Sequence, residues 1–381
     1  MIYFDNAATS FPKPERVIRK VNEVMNDYCA NPGRSGHKLA LKMDREIYGV
    51  REKLTNFVNG TNSLNTIFTS NCTHALNTAI QGVVEPGMHI ITTSIEHNSV
   101  LRPLKQLERN NIIELSIVNA DDKGIIDVSD IECEIKDNTG VIAITNMSNL
   151  VGTIVDIEAI GKILNDKDII FIVDAAQSIG FLDIDVQKMN IDILCYPGHK
   201  SLYGPMGTGA MYIKEGIKVK SLEQGGTGSF SSDLYQPEIY PDSLESGTLN
   251  GPGIIALGEG IDFINENGLK KIRDHENLLR DIFVESLRDI ENIIIYGPMD
   301  DRRGPVIPIN IKNMDSSELG YILSDEYDIY IRPGLHCAPL AHKSLGTEDL
   351  GCARFSFGYF NTEEEVLKAC DILKEIAKEN R

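Results

Sequence analysis

The sequence lacks any C-x-x-C pair. Its seven cysteines (Cys29, Cys72, Cys133, Cys195, Cys337, Cys352 and Cys370) form no framework. That argues against a zinc ribbon and a thioredoxin-like redox centre, and the scatter fits a reducing compartment. Positive charge is also scarce. The 37 Lys and Arg stand against 56 Asp and Glu, a formal net charge of −19, and a surface of that sign repels phosphate backbones, so nucleic acid is not an expected partner. No apolar run reaches the ~18 residues of a membrane span. The opening MIYFDNAATSFPKP has acidic and polar residues where a signal peptide needs a basic start and an apolar run. There is no internal repeat, low-complexity tract or long linker. The expectation is a cytoplasmic protein with no membrane partner.

A chain of 381 residues is long for one core, so two lobes are expected, 13–260 and 1–12 plus 261–381. Between about residues 65 and 215, apolar runs alternate with amphipathic stretches. Strands are expected at Thr66–Phe68, His89–Thr93, Ile112–Val118, Val141–Thr145, Ile169–Asp174, Ile193–Tyr196 and Ala210–Ile213. Several are nearly continuous in Ile and Val, as in strands covered on both faces. With a helix at Ile157–Leu164, this alternation predicts an α/β fold with a mostly parallel sheet. Further on, a long helix is expected over Glu266–Asp289 and another from Thr362, where Thr362 and Glu365 form a capping box. Short strands at Ile293–Tyr296, Ile307–Ile311 and Tyr330–Arg332 complete a smaller α+β domain.

In open α/β sheets ligands sit at the carboxyl ends of strands, and three such ends carry unusual polar groups. Thr69–Asn77 (TSNCTHALN) is a polar turn entering a helix. Its N–H groups with Ser70 and Thr73 suit a phosphate, or merely cap the helix. Asp174 ends the run IIFIVD, followed by Gln177 three residues on. A carboxylate ending a buried strand needs a cationic partner such as a pyridinium, or is a helix N-cap. Gly198-His199-Lys200 follows the next strand, and a lysine there is either solvated or a Schiff-base former. The order of the three decides: phosphate turn, then Asp, then Lys is the layout of a pyridoxal 5'-phosphate (PLP) site.

These residues carry a resemblance. The chain resembles the fold-type I PLP enzymes of the class V aminotransferase superfamily, on their cysteine desulfurase/selenocysteine lyase branch, over nearly its whole length. The resemblance runs through YFDNAATS (Tyr3–Ser10), RSGH (Arg34–His37), TSNCTHALN, IEHNS (Ile95–Ser99) and SNLVGT (Ser148–Thr153). It continues through VDAAQS (Val173–Ser178), GHK (Gly198–Lys200), SGTLN (Ser246–Asn250), RPGLHCAP (Arg332–Pro339) and CARFSFGYFNTEEEV (Cys352–Val366).

The resemblance implies roles. Lys200 would hold PLP and Asp174 would keep its ring nitrogen protonated. His97 would stack on the ring and shuttle protons, and Gln177 would bond the phenolic oxygen. His199 and Thr73 would contact the phosphate, with Cys72 beside them. Thr248 would reach the phosphate of a neighbouring subunit's cofactor, implying a homodimer. Arg354 and Asn149, with His37 and Arg332, would bind the substrate carboxylate, for which a guanidinium is well shaped. Cys337 would carry the persulfide. A lone Cys is more often a buried small hydrophobe, but beside His336 and near Arg332 a thiol can serve as nucleophile. The implied activity is conversion of L-cysteine to L-alanine with sulfur passing to Cys337 and then to a protein acceptor. The same residues would serve a selenocysteine lyase. A class V aminotransferase or epimerase would leave Cys337 idle, and a sulfur carrier would use PLP for structure alone. Departures from the family pattern are Pro197 for a Ser, Ser70-Asn71 for a basic or glycine residue, Asn146 for a His, and a lengthened stretch at Lys343–Asp349.

Overall fold

Runs of Ile and Val with no polar face build the centre of the structure, a computed structural model that describes residues 1–33, 36–230 and 232–379. Arg34 and Ser35 of the RSGH motif lie outside the described residues. The strands are β1 (Ile2–Tyr3), β2 (Thr66–Thr69), β3 (His89–Thr93), β4 (Glu114–Val118), β5 (Thr139–Thr145), β6 (Ile170–Asp174), β7 (Ile193–Pro197), β8 (Gly209–Ile213), β9 (Ile293–Ile295), β10 (Val306–Ile311), β11 (Ile329–Tyr330), β12 (Arg332–Gly334) and β13 (Cys352–Ser356). The helices are α1 (Glu15–Asp27), α2 (Lys38–Phe57), α3 (Cys72–Val83), α4 (Asn98–Arg109), α5 (Val128–Cys133), α6 (Ile157–Leu164), α7 (Gly251–Asn267), α8 (Leu269–Leu287), α9 (Ser316–Tyr327), α10 (Pro339–Leu345) and α11 (Glu363–Glu379).

Seven strands form the large sheet in the order β2-β8-β7-β6-β5-β3-β4. All pairs are parallel except those of β8, which runs antiparallel to β2 and β7. The side-chain period of two splits each central strand between two cores. Phe171 and Val173 of β6 join Leu194 and Tyr196 of β7 in one cluster, while Ile172, Ile193 and Cys195 join the cluster on the other face. Burial on both faces is why these strands read as unbroken apolar runs.

A second sheet, β12-β13-β10-β9, is antiparallel. It carries a separate core in which Phe283 of α8, Leu323 of α9 and Leu373 of α11 pack with Phe4 and Phe355. The expected helix from Glu266 starts later, at Leu269. Gly268, at φ +85°, breaks it from α7, and α7 runs through the expected boundary near residue 260. The expected strand at Tyr330–Arg332 is divided between β11, which pairs with β1, and β12, which pairs with β13. The capping box of α11 is formed as expected, with Glu365 N donating to Thr362 Oγ1 at 3.2 Å and Thr362 N to Glu365 Oε2 at 3.1 Å. Among the described residues no helix is long and apolar enough to cross a membrane.

Candidate active site

The carboxyl ends of β2, β6 and β7 open on one side of the large sheet, and the residues that follow them line one cavity of about 500 Å³. Lys200, Asp174, Gln177, His97, His199, Thr73, Cys72 and Asn149 all face it. Asn71 caps α3, its Oδ1 accepting from His74 N at 2.9 Å. The 12-residue α3 therefore points its N-terminus, with Thr73, into the cavity. The loop bearing Lys200 is fixed from below. Thr9 Oγ1 and Lys13 Nζ donate to the His199 carbonyl at 2.9 and 2.6 Å, and Ser10 Oγ donates to the Lys200 carbonyl at 2.9 Å. Behind it, Gly260 of α7 touches the Leu202 backbone so closely that a Cβ would strike that carbonyl.

Electrostatics in the cavity are set by burial. Asp174 is 3% exposed, and burial raises its carboxyl above the ordinary range. The Ala176 N–H (2.8 Å), the Lys200 charge and the Cys72 thiol (3.5 Å to Oδ1) offset this in part. Burial lowers Lys200 from the usual lysine range, against the attraction of Asp174. Burial and the Lys200 charge hold His97 and His199 down, both to about 4. Both rings are therefore neutral at pH 7. His97 Nδ1 accepts from Ser99 N at 3.0 Å.

The cavity fits PLP on the atoms it leaves unsatisfied. His199 Nδ1 and Asn149 Oδ1, of two residues that line it, are buried with no partner among the described residues, and buried polar atoms are normally paired. Asp174 is a buried carboxylate facing the same space with no guanidinium bonded to it among the described residues, which leaves it open to a pyridinium. The Thr73 hydroxyl and the N-terminus of α3 offer donors to a phosphate.

Arg354, on β13, is fully buried. Its Nη2 donates to Asp5 Oδ1 at 2.6 Å and its Nη1 to the Asn149 carbonyl at 2.9 Å. Asn149 Nδ2 donates to the His336 carbonyl at 2.7 Å. This places the guanidinium behind Asn149 of the cavity wall, linking β13 to the loop after β5. Cys337 is exposed and rims an adjoining cleft that shares Thr73, His97 and Ser99 with the cavity. Arg332 Nη2 lies 3.8 Å from its Sγ. His336 and Cys337 both have positive φ, +53° and +57°, a conformation costing about 1–2 kcal/mol for each non-glycine residue.

Two expected residues stand elsewhere. Thr248 is exposed and lines a different cleft with Ser70 and His74. His37 caps α2, accepting from Ala40 N at 3.3 Å on Nδ1. Among the departures, Pro197 lines the cavity, while Asn146 serves as a buried brace donating to the Val155 carbonyl at 3.2 Å. Sequence reasoning missed Asp5, Lys13, His342 and Thr347 as supports. Asp5 sits in the quoted YFDNAATS, and an acidic residue directly after an apolar pair was its available signal.

Comparisons with known proteins agree with this geometry. The class V aminotransferase family profile matches residues 2–368. A probable cysteine desulfurase of Methanothermobacter thermautotrophicus is 34% identical, the alignment covering 99% of this chain and 94% of the relative. The cysteine desulfurase IscS of Photobacterium profundum is 31% identical over 96% of this chain and 90% of its own. Among solved structures, the apo cysteine desulfurase of Thermococcus onnurineus superposes with a TM-score of 0.93 at 34% identity, over 99% of this chain and 94% of that one. The chain belongs to the class V aminotransferase family. Within it, these relatives place the chain on the cysteine desulfurase branch.

Proposed function

We infer that the protein is a PLP-dependent cysteine desulfurase that converts L-cysteine to L-alanine and takes the sulfur onto Cys337. The observation that carries this reading is the arrangement of two joined clefts. The Lys200–Asp174 cavity shares the walls His97 and Thr73 with the cleft that Cys337 rims.

Lys200 would hold PLP, Asp174 its ring nitrogen, Gln177 and His97 its ring, and His199, Thr73 and Cys72 its phosphate end. When bound, PLP supplies the electron sink that makes the substrate α-proton removable. Arg354 and Asn149 fix the substrate carboxylate. Arg354 Nε is a donor still unpartnered among the described residues, and Asn149 Nδ2 has a second N–H beside the one it gives to the His336 carbonyl. Arg332 adds charge beside Cys337. Lys200, lowered by burial, is neutral more readily than a solvent lysine and takes the α-proton. His97, held neutral, passes protons. Cys337 Sγ then attacks the substrate sulfur. The new bond is S–S, the Cβ–S bond breaks, and its electron pair stays on the three-carbon unit. Proton uptake there yields alanine, and the protein retains a persulfide.

The same reading includes a homodimer and a protein sulfur acceptor. Thr248 stands clear of its own Lys200 cavity, and Leu234 and Tyr235 nearby in sequence are 97% and 84% exposed, as expected of a face that meets a second copy. A cytoplasmic setting fits seven unpaired cysteines. The division into a large lobe (13–260) and a small one (1–12 with 261–381) is supported at its N-terminal end, where Ile2 and Phe4 pack in the core of the second sheet. Near 260 it cuts α7, whose Ile261 and Ile264 belong to the large core.

The test is stoichiometric. Wild-type holoenzyme given L-cysteine and a reductant is expected to release alanine and sulfide in equal amounts. Cys337→Ala is expected to lose both while still binding PLP. Alanine formation that survives in Cys337→Ala would overturn the role of this thiol.

A further inference from the structure

The backbone of the Cys337 loop is strained at two consecutive residues, so something must hold it. Behind it lies a chain of buried polar side chains that the proposed chemistry does not use. His336, His342 and Thr347 are 3%, 0% and 2% exposed. His336 Nε2 lies 2.8 Å from the Arg332 carbonyl, His336 Nδ1 lies 3.4 Å from His342 Nε2, and His342 Nδ1 lies 2.8 Å from Thr347 Oγ1. The two imidazoles are stacked at 5.6 Å with 16° between their planes.

Hydrogen-bond logic gives this chain one direction. A carbonyl only accepts, so His336 Nε2 carries a proton and donates to Arg332 O. In a neutral ring Nδ1 is then an acceptor. His342 Nε2 must donate to it, which leaves His342 Nδ1 to accept from the Thr347 hydroxyl. Every ring nitrogen is satisfied with both histidines neutral, so the chain of bonds needs no extra proton to hold together. Burial favours the same state. It lowers His336 to about 2, with the Arg354 charge adding to it, and His342 to about 4 despite the Leu335 and Thr347 backbone groups.

The chain starts and ends on backbone that matters to Cys337. It grips Arg332, whose guanidinium lies 3.8 Å from the thiol, and it is anchored in α10, where Ser344 Oγ meets Ser94 Oγ at 3.1 Å. Cys337 O accepts from Asn98 N at 2.8 Å, beside His97 at the start of α4. Thr347 lies two residues past the end of α10, between Cys337 and Arg354.

We propose that His342 and Thr347, acting through His336, are positioning residues that hold the Cys337 loop in its strained conformation, with the thiol fixed over the mouth of the Lys200 cavity. The proposal rests on the desulfurase reading for its kinetic test and stands on its own in the structural one.

The experiment compares holoenzyme carrying His342→Leu, His342→Gln and Thr347→Val. His342→Leu is expected to lower kcat for alanine formation roughly 10- to 100-fold, as displacement of a reacting group by about 1 Å does. KM for cysteine is expected to stay within about threefold, because Arg354, the main carboxylate contact, is held by Asp5 and not by the His336–His342 chain. His342→Gln keeps an N–H able to reach His336 Nδ1 and is expected to recover most of the rate. Thr347→Val is expected to fall between the two. Hydrogen exchange, which needs no turnover, is expected to quicken at the Asn98 and Ala338 amides in His342→Leu while the large sheet keeps its protection. An unchanged kcat in His342→Leu, a His342→Gln as slow as the leucine variant, or exchange that quickens throughout would overturn the proposal. If the leucine variant does not fold, wild-type kcat in Thr347→Val overturns it and a local loss supports it. If the wild type makes no alanine, the desulfurase reading fails and the exchange measurement alone decides the relay.

Discussion

Arg354 shows how much of this site depends on residues that touch no substrate. A fully buried guanidinium is tolerable only when its charge is matched and its N–H groups are bonded. Asp5 supplies the charge at 2.6 Å and the Asn149 carbonyl takes a second N–H. Breaking a buried pair by removing one partner is costly, but the Asp5 side chain is 20% exposed, so water softens the loss. Asp5→Asn is therefore expected to destabilise the fold by about 2–3 kcal/mol, at or below the low end for buried pairs. It is also expected to raise KM for cysteine more than it lowers kcat, since the asparagine orients the fork without balancing it. Urea denaturation and steady-state kinetics on one preparation check both, and a wild-type KM would detach Asp5 from substrate binding. The positions of Lys200, Asp174 and Cys337 were legible in the sequence because each chemistry-bearing residue follows an apolar strand or a turn motif. Asp5, Lys13 and the His336–His342–Thr347 chain were not. Their partners lie up to 349 positions away or depend on one loop's backbone angles, and neither is encoded in local spacing.

At the scale of elements, legibility follows burial pattern. The strands of the large sheet and α6 were visible because continuous or periodic apolar residues mark them. The helix α7 was not, since it is buried on nearly every side and carries Gly251, Gly253, Gly258 and Gly260, so its sequence shows neither an amphipathic stripe nor high helix propensity. The glycines have a packing reason. At Gly260 the helix axis lies against the Leu202 carbonyl, two residues past Lys200. Alanine is favoured over glycine inside a helix by about 1 kcal/mol, yet here its Cβ meets backbone that cannot swing away. Overpacking of this kind costs roughly 1–3 kcal/mol, so the clash wins. Gly260→Ala is expected to be net destabilising and to weaken PLP retention by shifting the Lys200 loop. Thermal denaturation and the bound-cofactor absorbance after gel filtration check it, and a stabilised variant with full cofactor would mean that the loop yields freely.

For the molecule as a whole, stability against pH is set by buried groups of two kinds pulling in opposite directions. Burial raises Glu96 and Glu276 from about 4.5 to about 8, so both are protonated in the fold near neutrality. A group raised on folding stabilises fully below its unfolded pKa, and that contribution drains away as pH rises through the folded value. Stability is therefore expected to fall between about pH 4.5 and 8 on account of these two carboxyls. His336 and His342 are depressed from 6.5 to about 2 and about 4. For them the unfolded chain binds protons first, so stability falls as pH drops below about 6.5. The two trends overlap between pH 4.5 and 6.5; above that range the carboxyl limb continues, opposed from about pH 7 by Lys13, which burial lowers from 10.5 to about 7 and for which the unfolded chain binds the proton first. Glu276→Gln isolates the carboxyl limb, because an amide closely matches a protonated carboxyl in shape and carries no charge at any pH. Each such carboxyl is expected to cost the wild type, by its denaturation midpoint, up to about 1.4 kcal/mol per pH unit between pH 6.5 and 8, a loss that Lys13 offsets in part above pH 7. The Gln variant is expected to decline less steeply and to be the more stable protein at pH 8.5. Equal slopes would show that Glu276 is ionised in the fold and that its burial is matched by a partner other than the Tyr359 backbone group that now opposes the shift.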